Sequence, residues 1–125
     1  FEIERTEVQD NEIVRALFSG EFRRELVFEF IDTMTEYEEK YPGHNLLVDF
    51  TGVSEVAIGL DDMRSIVSYM KENDKRQGKT AFVTGDNIGR FNLAKYFVDL
   101  VSFFRQNRQK AFKFEEPAIH WLYQS

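Results

Sequence analysis

The sequence predicts an α/β domain in which a mostly parallel five-stranded sheet, opened by an N-terminal β-hairpin, is interleaved with four helices. Three observations carry that prediction. Short apolar runs alternate along the chain with longer stretches whose apolar residues recur every three or four positions, the signatures of buried strands and amphipathic helices. The first two runs are joined by Gln9-Asp10-Asn11-Glu12 alone, a connection that suits only an antiparallel hairpin. Each later pair of strands is separated by a helical stretch, and strands joined in that way run parallel through right-handed crossovers.

Glu2 to Val8 alternates loosely, and after the polar turn Ile13 to Phe18 resumes with apolar and β-branched residues; these are the hairpin strands. Ser19-Gly20 punctuates the chain before Glu21 to Glu39, where Phe22, Leu26, Phe30, Met34 and Tyr37 fall at helical spacing. Tyr41-Pro42-Gly43 stops this first helix, because proline disfavours helix in the residue before it and glycine frees the turn. Asn45 to Phe50 is apolar without alternation, as a strand covered on both faces is. It is expected to enter a loop over Thr51 to Leu60, the region where open α/β sheets hold their ligands. Leu60 to Asn73 carries Leu60, Met63, Ile66, Val67 and Met70 on one stripe, with Asp61 and Asp62 compensating the helix dipole, and a charged loop closes it on Gly78. Thr80 to Thr84 is a short strand ending at Gly85-Asp86-Asn87, Asn92 to Gln106 is the third helix and Gln109 to Phe114 the last strand. Glu116-Pro117 then opens a short terminal helix with Ile119, Trp121 and Leu122.

With 125 residues and 42% hydrophobic content the chain is expected to form one domain, residues 1–125, around a core that thirteen phenylalanines make aromatic. The lack of cysteine excludes disulfides, thiolate metal sites and thiol nucleophiles together, and a reducing cytoplasm is the expected location. No apolar run approaches the roughly 20 residues of a membrane-spanning helix, and the acidic start is unlike a signal peptide. A formal net charge of −6 argues against nucleic-acid binding. The charge is uneven: twelve acids accompany four arginines from Phe1 to Glu39, whereas six bases accompany only Asp99 from Arg90 to Lys113. Such polarity suits either an acidic partner, a membrane surface or a second copy, or simply a solvated helix face and a polar loop.

The element order, with Ser19-Gly20-Glu21 entering the first helix and Val48-Asp49-Phe50-Thr51-Gly52-Val53 entering the next loop, resembles the SpoIIAA-like fold of STAS domains and anti-sigma factor antagonists. Ala111-Phe112 and Ala118-Ile119-His120-Trp121-Leu122 look more like the STAS/SEC14-like branch of that fold. The resemblance implies a regulatory or binding domain, and the SEC14-like branch implies association with lipid. In phosphorylated members the central strand is followed by an Asp-Ser-Ser-Gly-Leu turn whose serine accepts phosphate at a helix N-terminus. Here the matching turn is Ala57-Ile58-Gly59-Leu60, one residue shorter and without a hydroxyl, so no phosphorylation switch is expected there.

Two classes of function remain open. One is a non-enzymatic cytoplasmic module that contacts a protein partner, a second copy of itself or an apolar, lipid-like ligand through helix surfaces, without cofactor or metal. On a helical projection the apolar arc of the third helix spans about 220°, where somewhat more than about 100° suffices to lie on a sheet. The excess residues Tyr96, Val98 and Phe103 are expected to face solvent as a contact surface, with Arg90 adding a charge at the start of that segment. The other class is a small enzyme or phosphoacceptor using the loops after Phe50 and Thr84, with Asp49, Thr51, Ser54, Asp86 and Arg90 as its polar set. Thr84 to Arg90 lacks the lysine and glycine spacing of a P-loop, and is expected to be a turn in which Gly85 and Gly89 take positive φ and Asp86 or Asn92 caps the helix. Asp49 is expected to accept turn amides. His44 and His120 have neither metal-ligand spacing nor carboxylate neighbours in sequence, and are expected in a surface loop and on a helix face. No nucleophile stands beside a base, so no catalytic residue is assigned.

Overall fold

The computed structural model describes residues 1–8, 11–102, 104, 105 and 108–124. Strand β1 (Glu2–Val8) and strand β2 (Asn11–Arg23) are followed by α1 (Arg24–Lys40), β3 (Asn45–Ala57), α2 (Leu60–Asn73), β4 (Thr80–Val83), α3 (Ile88–Val101), β5 (Gln109–Phe112) and α4 (Glu115–Leu122). The five strands lie in the order β1-β2-β3-β4-β5, antiparallel between β1 and β2 and parallel thereafter. This is the hairpin-opened, mostly parallel sheet with four helices that the sequence predicts. The turn expected at Gln9 and Asp10, the contact residue Phe103 and the helix end at Gln106 lie outside the described residues.

A strand order that steps always in one direction has a geometric consequence. Right-handed crossovers then place every connecting helix on the same face of the sheet, so α1, α2 and α3 share one face and α4 is left to cover the other. The core divides accordingly. Val14, Phe18, Leu46, Val48, Val53 and Phe82 pack with Met34 of α1 and Ala94 of α3. Ile13, Leu47, Ala81 and Val83 turn the other way onto Ala118 and Leu122 of α4. Adjacent residues of β3 thus serve opposite faces, which is why that strand reads as one apolar run. A further apolar layer, with Val27 and Ile31 of α1, Ile66 and Met70 of α2 and Val101 of α3, joins the three helices to each other.

The largest departure from the sequence reading has one cause. Strand β2 continues to Arg23 instead of ending at Phe18, so α1 begins at Arg24; strand β3 continues to Ala57, so Thr51 to Ala57 is strand and not loop. The two extensions pair with each other, from Ser19 opposite Gly52 to Arg23 opposite Ala57, with one register shift between Leu17 and Ser19 and another between Gly20 and Glu21. Ser19-Gly20 and Thr51-Gly52 look like turn chemistry in isolation, yet they fall at these irregularities, with Gly20 at φ 75°. At Gly52 an added Cβ would stand 3.0 Å from the Phe18 carbonyl oxygen. Strand β4 accompanies β3 only as far as Val83 opposite Asp49, so the β2–β3 pair projects beyond the rest of the sheet as a two-stranded arm. Farther along, Gly85 has the expected positive φ of 73°, but Gly89 lies inside α3, which starts at Ile88 instead of Asn92. Its cap is Asn87, whose side-chain oxygen accepts the Arg90 amide at 2.9 Å, and not Asp86 or Asn92. Strand β5 stops at Phe112.

Candidate functional site

The arm bounds an apolar pocket at the C-terminal ends of the parallel strands. A ladder of rings lines it: Phe22 meets Phe50 edge to face at 5.0 Å, Phe50 stacks on Phe82 at 5.9 Å, and Phe82 meets Phe97 edge to face at 5.8 Å. A cavity of about 80 Å³ lies between these rings. Met63 of α2 and Leu93 of α3 close its sides, and Arg90 is its single charged lining residue. A second cavity of about 60 Å³ lies deeper, sharing Val27, Phe30, Val48, Phe82 and Phe97 with the first. Its far wall is polar, with Asp74, Arg76, Thr80, Arg105 and Gln109.

That wall belongs to a buried ionic network at the opposite end of the strands. Asp74 accepts the Arg105 guanidinium at 2.5 Å through one carboxylate oxygen and the Arg76 amide at 3.0 Å through the other. Arg105 also donates to the carbonyls of Arg76 (3.1 Å) and Gly78 (3.3 Å), and Arg76 donates to the carbonyls of His44 (3.1 Å) and Lys79 (3.2 Å) and to the Thr80 hydroxyl. Glu38 accepts the amides of Gly43 and Gln77, each at 3.1 Å, and faces His44 Nδ1 at 3.2 Å. Arginine can only donate, so the 3.1 Å bond from Arg76 Nε makes His44 Nε2 an acceptor and puts the imidazole proton on Nδ1. Burial, and then the Arg76 charge, hold the His44 pKa below its ordinary 6.5, against the opposing pull of the Tyr41 carbonyl and Glu38. Burial and the neighbouring Arg105 lower the Arg76 pKa to about 10.

His44 is therefore no surface-loop residue, and it does have a carboxylate neighbour; its side chain is 5% exposed. The sequence carried one sign of this network. Val27, Ile31, Met34 and Glu38 are the buried positions of α1, so Glu38 occupies the next place on an apolar stripe, where a carboxylate requires partners. His120 is exposed, as expected of a helix face.

Of the polar loop residues, Asp49, Thr51 and Arg90 stand together. Asp49 Oδ1 accepts the Thr51 amide at 2.8 Å and its hydroxyl at 2.6 Å, the backbone role expected of it, and Arg90 donates to the Thr51 carbonyl at 3.4 Å. Ser54 is exposed on the arm, and the 79% exposed Asp86 side chain points to Lys113 at 3.9 Å, so neither joins them. At the start of α2, Asp62 accepts the Gly59 amide at 3.0 Å, and the chain's own carboxylate occupies the anion-favouring end of that helix. Among the contact residues, Tyr96 is exposed as expected, but Val98 is partly buried, packed against the main core. The basic stretch does not form one face either, since Arg105 points inward. Among the described residues no helix is long and apolar enough to cross a membrane, and no three acidic or histidine side chains converge as a metal site would require.

No protein-family model and no curated protein matches this chain. Among solved structures it is similar to an uncharacterized protein of the DUF3478 family with a SpoIIAA-like fold from Shewanella loihica PV-4. The TM-score is 0.62 at 16% identity, with 97% of this chain and 92% of that chain covered. At such identity the likeness speaks to the backbone, and the strand order and helix placement described above agree with it: the chain has a SpoIIAA-like fold.

Proposed function

We propose that this chain is a binding module, not an enzyme, that receives an apolar, lipid-like ligand between the β2–β3 arm and α3. The observation that supports this reading is the apolar pocket at the C-terminal strand ends, where open α/β sheets receive ligands, with Arg90 as its one charged lining residue. Val56 on the arm and the first residues of α2 and α3, Leu60 and Ile88, add exposed apolar surface at the same end. A cavity of about 80 Å³ is smaller than the roughly 150 Å³ that admits benzene. A larger ligand therefore enters as rings rotate or as the arm lifts, and past Asp49 the arm has no β4 partner to hold it down. The enzyme or phosphoacceptor reading has less support, since the Asp49 carboxylate is engaged by Thr51 and Ser54 and Asp86 stand apart.

Titration with a fluorescent fatty-acid probe tests the proposal. The native chain should bind it, and Ala94→Leu, which narrows the pocket at α3, should abolish binding while far-UV circular dichroism stays unchanged. Failure of the native chain to take up the probe, or unaltered binding by the variant, would overturn the reading.

A further inference from the structure

The deeper cavity has a property that the ionic network does not explain. Gln109 is 8% exposed, and its side-chain nitrogen donates to the Arg105 carbonyl at 2.5 Å. Its Oε1 is buried and meets no hydrogen-bond donor among the described residues. Buried side-chain acceptors in folded proteins are almost always paired, so this one points to a group that the described residues do not supply. The guanidinium donors beside it are already engaged within the chain, Arg105 with Asp74 and the carbonyls of Arg76 and Gly78, and Arg76 with the His44 ring, the Thr80 hydroxyl and the carbonyls of His44 and Lys79. What Oε1 lacks is a hydrogen-bond donor, which a carboxylate head cannot supply.

The other side of this cavity is shared with the apolar pocket, and the partition consists of the side chains of Val27, Phe30, Val48, Phe82 and Phe97. Rotation of the Phe30, Phe82 and Phe97 rings would join the two spaces into one passage from Arg90 to Gln109. We propose that the two cavities form one site for a neutral amphiphile, whose hydroxyl or amide head donates to Gln109 Oε1 and whose hydrocarbon tail extends toward Arg90. This rests on the reading of the upper pocket as an apolar ligand site and adds the chemistry and direction of the ligand.

Two isomers separate the inferences. Pentyl methyl ether has the same formula and heavy-atom count as 1-hexanol but cannot donate a hydrogen bond, and each can be titrated by following protein chemical shifts. The native chain should bind 1-hexanol about tenfold more tightly than the ether, the discrimination expected of one buried hydrogen bond. Gln109→Met should remove that preference while leaving the ether affinity in place, and nuclear Overhauser contacts of the alcohol's C1 protons should fall on Gln109 and not on Leu93. Equal binding of the two isomers to the native chain would show that water alone meets Oε1, which overturns the amphiphile site and leaves the apolar pocket standing; this comparison needs no variant to fold. Tighter binding of hexanoate than of 1-hexanol would overturn the assignment of a neutral head. If neither isomer binds, the apolar pocket and the proposal built on it fail together.

Discussion

The two ends of the parallel sheet are held by opposite chemistries. Where β3, β4 and β5 begin, Glu38, His44, Asp74, Arg76 and Arg105 interlock through directional bonds that tie the ends of α1 and α2 to the loops that follow them. Where the same strands end, rings meet edge to face and leave space. A satisfied polar network tolerates one arrangement, whereas apolar surfaces of similar volume tolerate several. The lesson is a division of labour: the ionic end fixes the strands relative to one another, and the aromatic end leaves space between its side chains.

Removing one charge breaks that contrast most sharply. Asp74→Ala leaves Arg105 buried without its carboxylate and should cost about 3–5 kcal/mol in urea denaturation, as broken buried pairs do. A loss below about 1 kcal/mol would rank the network with exposed surface pairs. Gly78→Ala comes next. A Cβ there would overlap the His44 carbonyl oxygen and stand 2.7 Å from its carbon, and neither backbone can retreat without opening the network. A loss of about 1–3 kcal/mol, the range for overpacking, is expected from thermal melts.

The pH dependence is smaller and has a definite sign. With its folded pKa below 6.5, His44 binds a proton more readily in the unfolded chain, so stability attributable to this group is full above the unfolded pKa and falls as pH drops below 6.5. Urea midpoints taken on either side of pH 6.5 should fall further for the native chain than for His44→Gln on acidification, the carboxylates being common to both. Equal losses would remove His44 from the balance. The smallest effect belongs to the aromatic end: Ile88→Ser, at a residue 75% exposed, should change stability by less than about 0.5 kcal/mol. A larger loss would show that the mouth of the pocket is packed like a core.

This contrast also explains what the sequence disclosed. Periodicity along Leu60 to Asn73 and the apolar run at Leu46 to Val48 are local signals, and the elements and the SpoIIAA-like fold were legible from them. The arm was not, because its strands are stabilised by pairing between Ser19–Arg23 and Gly52–Ala57, segments far apart in the chain whose own composition resembles a turn. The network was hidden differently. Asp74, Arg76 and Arg105 lie in charged runs that read as solvated surface, and only Glu38 on the α1 stripe betrayed them. On α3 the exposed Tyr96 followed from the helical projection, whereas the packing of Val98 on the main core depends on residues of other elements, which no projection of a single helix contains.

The strand order has a consequence for how the chain is made. Neighbours across the sheet are neighbours along the chain, so each strand emerging during synthesis finds its partner's edge already formed and never has to insert between two others. Sequential crossovers also keep the span of chain enclosed by each new pairing shorter than strands paired out of order would. The buried network closes late in that order. Glu38, His44, Asp74 and Arg76 are in place before α3 emerges, and Arg105, which follows α3, supplies the last charge. A nascent chain halted before Arg105 would therefore carry Asp74 without its ion-pair partner, and the network at the base of the sheet closes before β5 and α4 complete the fold.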